Sequence, residues 1–311
     1  MPEIVTITMN PALDIATRAD AVVPTDKVRC GPPRYDPGGG GINVARVVRT
    51  LGGDALAVFP AGGPAGDALD LLLDRDGVPH HRIPIKGVTR ESFTVDERRS
   101  GQQYRFVLPG PELSEAERAL CLETLARKAV DARFLVASGS LPPGVPADFY
   151  QKVADVARER GVHFILDTSG EALKQTKAGI YLLKPSIREL RERTGRDLRD
   201  EADQVAAARE LIAEGVSRIV VVSLGSQGAI LVTDESHEKL VPFDVPVCSA
   251  VGAGDSMVGA IALGLTRGMT LRDAVHLGMA AGAATLMTPG TELCRREDVE
   301  RLYSDWRRRA G

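Results

Sequence analysis

Between residues 134 and 223 the chain carries FLVAS (134–138), HFILD (163–167), IYLL (180–183) and RIVVVS (218–223), short apolar, β-branched runs separated by longer stretches of helical spacing. Strand, loop and helix in regular succession predict a parallel sheet with helices packed on both faces. The same order extends toward the N-terminus. Strands are expected at 4–9 and 55–59, and between them residues 42–51 bring Val44, Val47, Val48 and Leu51 onto one helical face, with Gly52 placed to end the helix. The predicted fold is α/β, three layers around a mostly parallel central sheet.

Two segments interrupt this order. Residues 20–37 (DAVVPTDKVRCGPPRYDP) and 88–109 (VTRESFTVDERRSGQQYRFVLP) alternate or turn with no helix between strands. They are read as a small β lid on a single domain spanning 1–311. Open sheet edges on such a lid need a partner, so a homodimer formed through the lids is expected.

Composition narrows the function classes. With 43% apolar and 26% charged residues the chain is ordinary for a globular enzyme, and its 311 residues suffice for a substantial core. No run reaches the roughly 18 apolar residues of a membrane span, and no basic segment followed by an apolar one opens the chain, so a cytoplasmic location is expected. A net charge of −3 offers no global field for nucleic acid, and any anion must be bound by local clusters of basic groups and amides. Cys30, Cys121, Cys248 and Cys294 lie far apart, with no histidine at metal-ligand spacing, which points to reduced thiols.

The strongest chemical signal is VGAGDSM at 251–257, a glycine-rich turn opening an amphipathic helix. Small residues admit a ligand close to the backbone, and the free N–H groups of a helix start suit a phosphoryl group that gathers charge during transfer. Asp255 lies beside those amides, placed to accept a proton from a hydroxyl, although an acidic helix cap is an equal reading of this motif alone. A second signal, PGGGGIN at 37–43, also runs into a helix. Its glycines indicate a backbone packed against a ligand or held at positive φ, and Asn43 offers donor and acceptor to a sugar hydroxyl. Asp14, after the first strand, is a further acceptor. Neither cluster completes G-x-G-x-x-G, and the chain lacks G-x-x-x-x-G-K-[ST], G-x-S-x-G and H-E-x-x-H, so a dinucleotide fold, a P-loop and the common hydrolases are disfavoured.

Taken together, the two glycine motifs resemble the N- and C-terminal signatures of the PfkB, or ribokinase-like, carbohydrate kinases. The similarity runs through nearly the whole chain, including Tyr104-Arg105-Phe106, SGSLPPG at 138–144, DTSGEAL at 167–173 and SLGSQGA at 223–229. It implies a ribokinase-like three-layer fold with a β lid. The implied activity is ATP-dependent phosphorylation of a sugar phosphate, foremost fructose 6-phosphate to fructose 1,6-bisphosphate. Tagatose-6-phosphate and fructose-1-phosphate kinases are the neighbouring alternatives, and a non-catalytic sugar-phosphate sensor is the alternative of another class.

The resemblance also implies residue roles. Asp255 becomes the general base, and the amides of Gly252, Ala253 and Gly254 the anion hole. Asp14, Gly39, Gly40, Asn43 and Ser138 would contact the sugar. Lys184, Ser186, Ser223, Leu224, Gly225, Ser226, Gln227, Gly228, Met279 and Ala283 would surround the nucleotide. Mg²⁺ accompanies ATP, with Glu189 reaching it through water, and a K⁺ site would match Ser249, Val251, Thr285, Thr288 and Gly290. One departure stands out: the family's Asn-x-x-Glu is here Ser186-Ile187-Arg188-Glu189, for which altered metal or phosphate dependence is expected. For the substrate's own phosphate, Lys27 and Arg29 share a face if their segment is a strand, and Arg90 and Arg105 fall in the other lid segment.

Overall fold

The computed structural model describes residues 2–310. In chain order the strands are β1 (Ile4–Ile7), β2 (Ala12–Ala19), β3 (Arg34–Gly38), β4 (Ala55–Ala61), β5 (His80–Pro84), β6 (Arg90–Glu97), β7 (Gln103–Val107), β8 (Phe134–Ser138), β9 (His163–Asp167), β10 (Ile180–Leu183), β11 (Ser217–Ser223), β12 (Ala229–Val232) and β13 (His237–Leu240). The helices are α1 (Gly40–Thr50), α2 (Gly63–Arg75), α3 (Glu115–Lys128), α4 (Phe149–Arg160), α5 (Gly170–Gln175), α6 (Ile187–Thr194), α7 (Glu201–Ala213), α8 (Ala253–Thr266), α9 (Leu271–Leu286) and α10 (Arg296–Ala310).

The main sheet runs β13-β12-β11-β10-β9-β8-β1-β4-β5, parallel from β11 to β5, with β12 and β13 closing one side in antiparallel fashion. Period-two alternation feeds a separate core on each face. Along β8, Phe134 and Val136 face the helices α1, α2 and α8 to α10, while Leu135 and Ala137 face α3 to α7. Full burial of a side chain the size of Leu135 or Val136 contributes about 1.5–3 kcal/mol, which fixes the sheet as the rigid platform of the site. Chain order reverses between β1 and β8, because β4 and β5 lie on one side and β9 to β11 on the other. Open α/β sheets bind ligands at such a reversal, outside the carboxyl ends of the strands.

Helix α8 is held against α1 by a glycine: a Cβ on Gly259 would lie 2.9 Å from the Val44 carbonyl. This close packing sets where the first turn of α8 emerges. No helix of the described residues is long and apolar enough to cross a membrane. All four cysteines are free, Cys121 and Cys294 being buried.

The expected strands at 134–138, 163–167 and 180–183 coincide with β8, β9 and β10. The lid differs from its reading. Its sheet is β3-β2-β6-β7, so one of its two inner strands, β2, lies upstream of the predicted boundary at 20. Asp14 therefore sits on a strand and not in a loop. Residues 20–33, read as part of the lid, contain only an isolated bridge at Cys30. Pro24, Pro32 and Pro33 remove donors there, which explains the irregular course. The lid's β2 pairs parallel with β6 and antiparallel with β3, placing Asp14 opposite Asp36 and Ser92.

Candidate active site

The two glycine-bearing loops meet. Asn43, in the first turn of α1, donates from Nδ2 to Asp255 Oδ2 at 3.0 Å, and Ser138 at the end of β8 donates from Oγ to Asp255 Oδ1 at 2.9 Å. Asp255 is the third residue of α8 and does not cap it. The cap is Gly252, at φ 78°, a left-handed conformation that favours glycine. The first firm intrahelical bond runs from the Ser256 amide to the Gly252 carbonyl at 2.8 Å. Of the earlier amides, Ala253 makes a long bond of 3.5 Å to the Ala250 carbonyl, while those of Gly254 and Asp255 have no backbone acceptor and stay open to a ligand.

The four glycines of 38–41 answer mainly to protein and not to ligand. A Cβ on Gly38 would fall 2.1 Å from Asp14 Oδ2, and one on Gly40 would fall 2.3 Å from Ser138 Oγ. Only Gly39 adopts positive φ, at 111°. The run thus lets Asp14, Ser138 and the start of α1 crowd into one place.

Two cavities flank the first turn of α8. A small one of about 170 Å³ is lined by Asp14, Gly39, Gly40, Asn43, Arg90, Arg105, Val251, Gly252 and Asp255, joined by Ser92, Phe93, Thr94, Val107 and Thr291, which sequence reasoning missed. Arg90 is fixed by the backbone carbonyls of Asn10 at 3.0 Å and Leu108 at 3.1 Å, and its Nε is buried without a partner. Burial pushes the Asp14 carboxyl up to about 6; Asp36 adds to this, while Arg90, Arg105 and Arg46 oppose it. Below that pH the group is protonated and accepts less well from hydroxyls. Efficiency (kcat/KM) for the small-pocket substrate is therefore expected to fall as pH drops through about 6 and to level off above it. A pH–rate profile checks this, and Asp14→Asn should abolish that limb.

The second cavity, of about 700 Å³, is lined by Ser223, Gly225, Ser226, Gly228, Met279 and Ala283 together with Ala253, Gly254, Met257, Phe243, Val245 and Leu286. Its walls are mostly apolar, as a nucleotide base requires. Leu224 is buried in the core and Gln227 is exposed, so neither lines it. The wall formed by residues 242–247 was not foreseen, because this stretch has neither periodicity nor a glycine motif.

Lys184 sits behind the helix start, paired with Asp167 at 3.1 Å. Burial alone would lower its ammonium, but Asp167 and Glu189 outweigh burial and hold it above the ordinary lysine value. Burial in turn pushes Asp167 up to about 7. Lys184 accordingly stays cationic beside the start of α8, its Nζ 3.6 Å from where a Cβ on Gly254 would lie. Asp167, which the sequence reading places in the DTSGEAL segment without a site role, is thus the buried partner of Lys184. Ser186 and Glu189 form a capping box: the Glu189 amide donates to Ser186 Oγ at 3.3 Å, and Glu189 Oε2 accepts from the Ser186 amide at 2.7 Å. Serine caps a helix as well as asparagine does, so the departure at 186 leaves the start of α6 intact.

The loops of 249–251, 285–288 and 290 converge. Ser249 Oγ donates to the Gly290 carbonyl at 2.7 Å, and Thr288 Oγ1 to the Thr285 carbonyl at 2.7 Å. Lys27 and Arg29 do not line the small cavity and lie exposed on the irregular segment, so the expected shared strand face does not exist. Ser138 contacts Asp255 and does not line the cavity.

A small pocket lined by carboxylate, amide and guanidinium groups and a larger, mostly apolar pocket thus meet at one helix start, with the Asp255 carboxylate on the side of the small one. Residues 7–298 match the pfkB family carbohydrate kinases. The chain is 57% identical over 302 residues to the ATP-dependent 6-phosphofructokinase isozyme 2 of Mycobacterium tuberculosis H37Rv, covering 97% of this chain and 89% of that one. It is 43% identical over 306 residues to the ATP-dependent 6-phosphofructokinase isozyme 2 of Escherichia coli K12, covering 98% and 99%. The crystal structure of phosphofructokinase-2 from Escherichia coli in complex with potassium superposes with a TM-score of 0.93 at 42% identity, over 98% of this chain and 99% of that one. The chain belongs to the pfkB family of carbohydrate kinases.

Proposed function

We propose that this protein transfers the γ-phosphoryl group of ATP to the 1-hydroxyl of fructose 6-phosphate, giving fructose 1,6-bisphosphate. The relatives support this substrate pair. The observation that carries it is the shared wall: Val251, Gly252 and Asp255 face the small pocket, while Ala253, Gly254 and Met257, on the same turn, face the large one. A sugar hydroxyl and a nucleotide phosphate bound in these pockets approach each other across a single helix start.

In this reading Asp255 takes the proton from the attacking hydroxyl, its two oxygens oriented by Asn43 and Ser138. Charge on the moving phosphoryl group is met by the open amides of the α8 start and by Lys184. Asp14 and Asn43 hold sugar hydroxyls, and Arg90 and Arg105 hold the 6-phosphate. Phe243, Val245, Met279, Ala283 and Leu286 enclose the base.

Among the described residues no group of three or more His, Cys, Asp or Glu side chains could hold a metal unaided. That fits Mg²⁺ arriving on ATP and keeping most of its waters, with Glu189 as a water-mediated partner and the ion shielding phosphate charge. Neutral oxygens of Ser249, Val251, Thr285, Thr288 and Gly290 fit K⁺ better than a divalent ion, and the carbonyl end of α9 adds favourable dipole. The lid exposes Tyr35, Phe93 and Phe106, which the strand register sets in one row across the sheet, an apolar face consistent with a homodimer through the lids.

The test is a coupled ADP-release assay across fructose 6-phosphate, fructose 1-phosphate, tagatose 6-phosphate, fructose and ribose, with and without K⁺. Fructose 6-phosphate is expected to give the highest kcat/KM. Preference for an unphosphorylated sugar would defeat the reading.

A further inference from the structure

Asp36 is 1% exposed, lies on β3 directly opposite Asp14, and does not line the small cavity. A buried carboxylate is costly unless fully paired, and this one has partners on three separate elements. Arg34, two residues earlier on β3, donates from Nε at 2.8 Å and Nη2 at 3.2 Å. Arg46 of α1 donates from Nη2 at 3.4 Å and also holds the Pro37 carbonyl at 3.2 Å. Thr291 Oγ1 donates at 2.6 Å from the loop that carries Gly290, and Thr291 itself lines the small cavity. One side chain therefore ties the base of the lid to the glycine loop's helix and to the loop after α9.

We infer that Asp36 is a positioning residue for the sugar-phosphate pocket: through Arg46 and Thr291 it locks the β2–β3 pair so that Asp14 stands over Gly38 and faces the substrate. The role rests on the reading of the small cavity as the sugar-phosphate site. Asp36 touches no substrate, so its effect is on binding of the sugar phosphate and not on ATP binding or turnover. It also sets the charge around Asp14, which is faced by Arg90 on β6, Arg105 on β7, Arg46 on α1, Asp36 on β3 and Asp255 on α8. Removing the Asp36 charge leaves Arg34 paired with Glu292 and Arg46 with Asp76, but takes away the negative charge opposite Asp14, so Asp14 ionises at lower pH.

The experiment compares wild type with Asp36→Asn, Thr291→Val and Asp14→Asn, measuring KM for fructose 6-phosphate, KM for ATP, kcat and the pH dependence of kcat/KM. Asp36→Asn is expected to raise the fructose 6-phosphate KM about tenfold, the equivalent of about 1.4 kcal/mol, with ATP KM and kcat unchanged and the acid limb moved to lower pH. A purely structural role would leave that limb in place. An unchanged sugar-phosphate KM, a parallel rise for ATP, or an unmoved acid limb overturns the inference. Should Asp36→Asn not fold, Thr291→Val decides it: the same split between the two KM values supports the tether, and an unaltered sugar-phosphate KM sinks it. If Asp14→Asn binds fructose 6-phosphate normally, the pocket assignment falls and the inference with it. A defect in Asp14→Asn beside a normal Asp36→Asn removes only the inference.

Discussion

Replacing Asp255 by asparagine is expected to lower kcat by about 10²–10⁴-fold, with both substrates still bound. The carboxylate's place is fixed by Asn43 and Ser138, both of which donate to it. An amide of the same shape keeps one acceptor oxygen for them, so the helix start and both pockets persist. What is lost is the proton acceptor. Steady-state kcat, together with fructose 6-phosphate and ATP binding by calorimetry, separates the two effects. Near-normal turnover would remove Asp255 from the chemistry.

The second large effect is expected at Arg90. Its guanidinium is anchored by two backbone carbonyls, leaving a buried Nε without a partner. Burial lowers its pKa from the ordinary arginine value, with the Asp14 charge opposing. A desolvated, pre-aimed cation binds a phosphate far better than a solvated one. Truncating one partner of such a pair typically costs 2–5 kcal/mol, so Arg90→Ala should raise the fructose 6-phosphate KM by about 10²-fold and leave ATP almost unaffected. Initial rates with each substrate varied in turn provide the check. Equal losses for both would assign Arg90 to the fold and not to the substrate.

Much of this was readable from residues because the signals are local. The runs at 134–138, 163–167 and 180–183 are bounded by turns and buried on both faces, so composition alone delimits them. The two glycine motifs announce tight backbone, and the structure adds what the glycines pack against. Less legible were features whose cause is remote in sequence. The strand β2 follows Asn10-Pro11 and is stabilised by β6, far along the chain. Edge strand β5, with two histidines, an arginine and a proline in five residues, has no strand pattern at all. Asp167 and Asp36 look like ordinary acids until folding buries them against Lys184 and Arg46. Lys27 and Arg29 show the converse: their spacing gives a shared face only where a strand exists, and none forms at these residues.

The lid strands β2, β3, β6 and β7 all lie within the first 107 residues, whereas Asp255, the proposed proton acceptor, follows much later and the wall of the large cavity extends to Leu286. During synthesis at about 5–20 residues per second, roughly 7–30 s separate the emergence of these two parts. On the proposed function, a nascent chain can thus hold most of the residues that line its sugar pocket while still lacking the means to act on what that pocket binds, and chemical competence arrives only as translation nears its end.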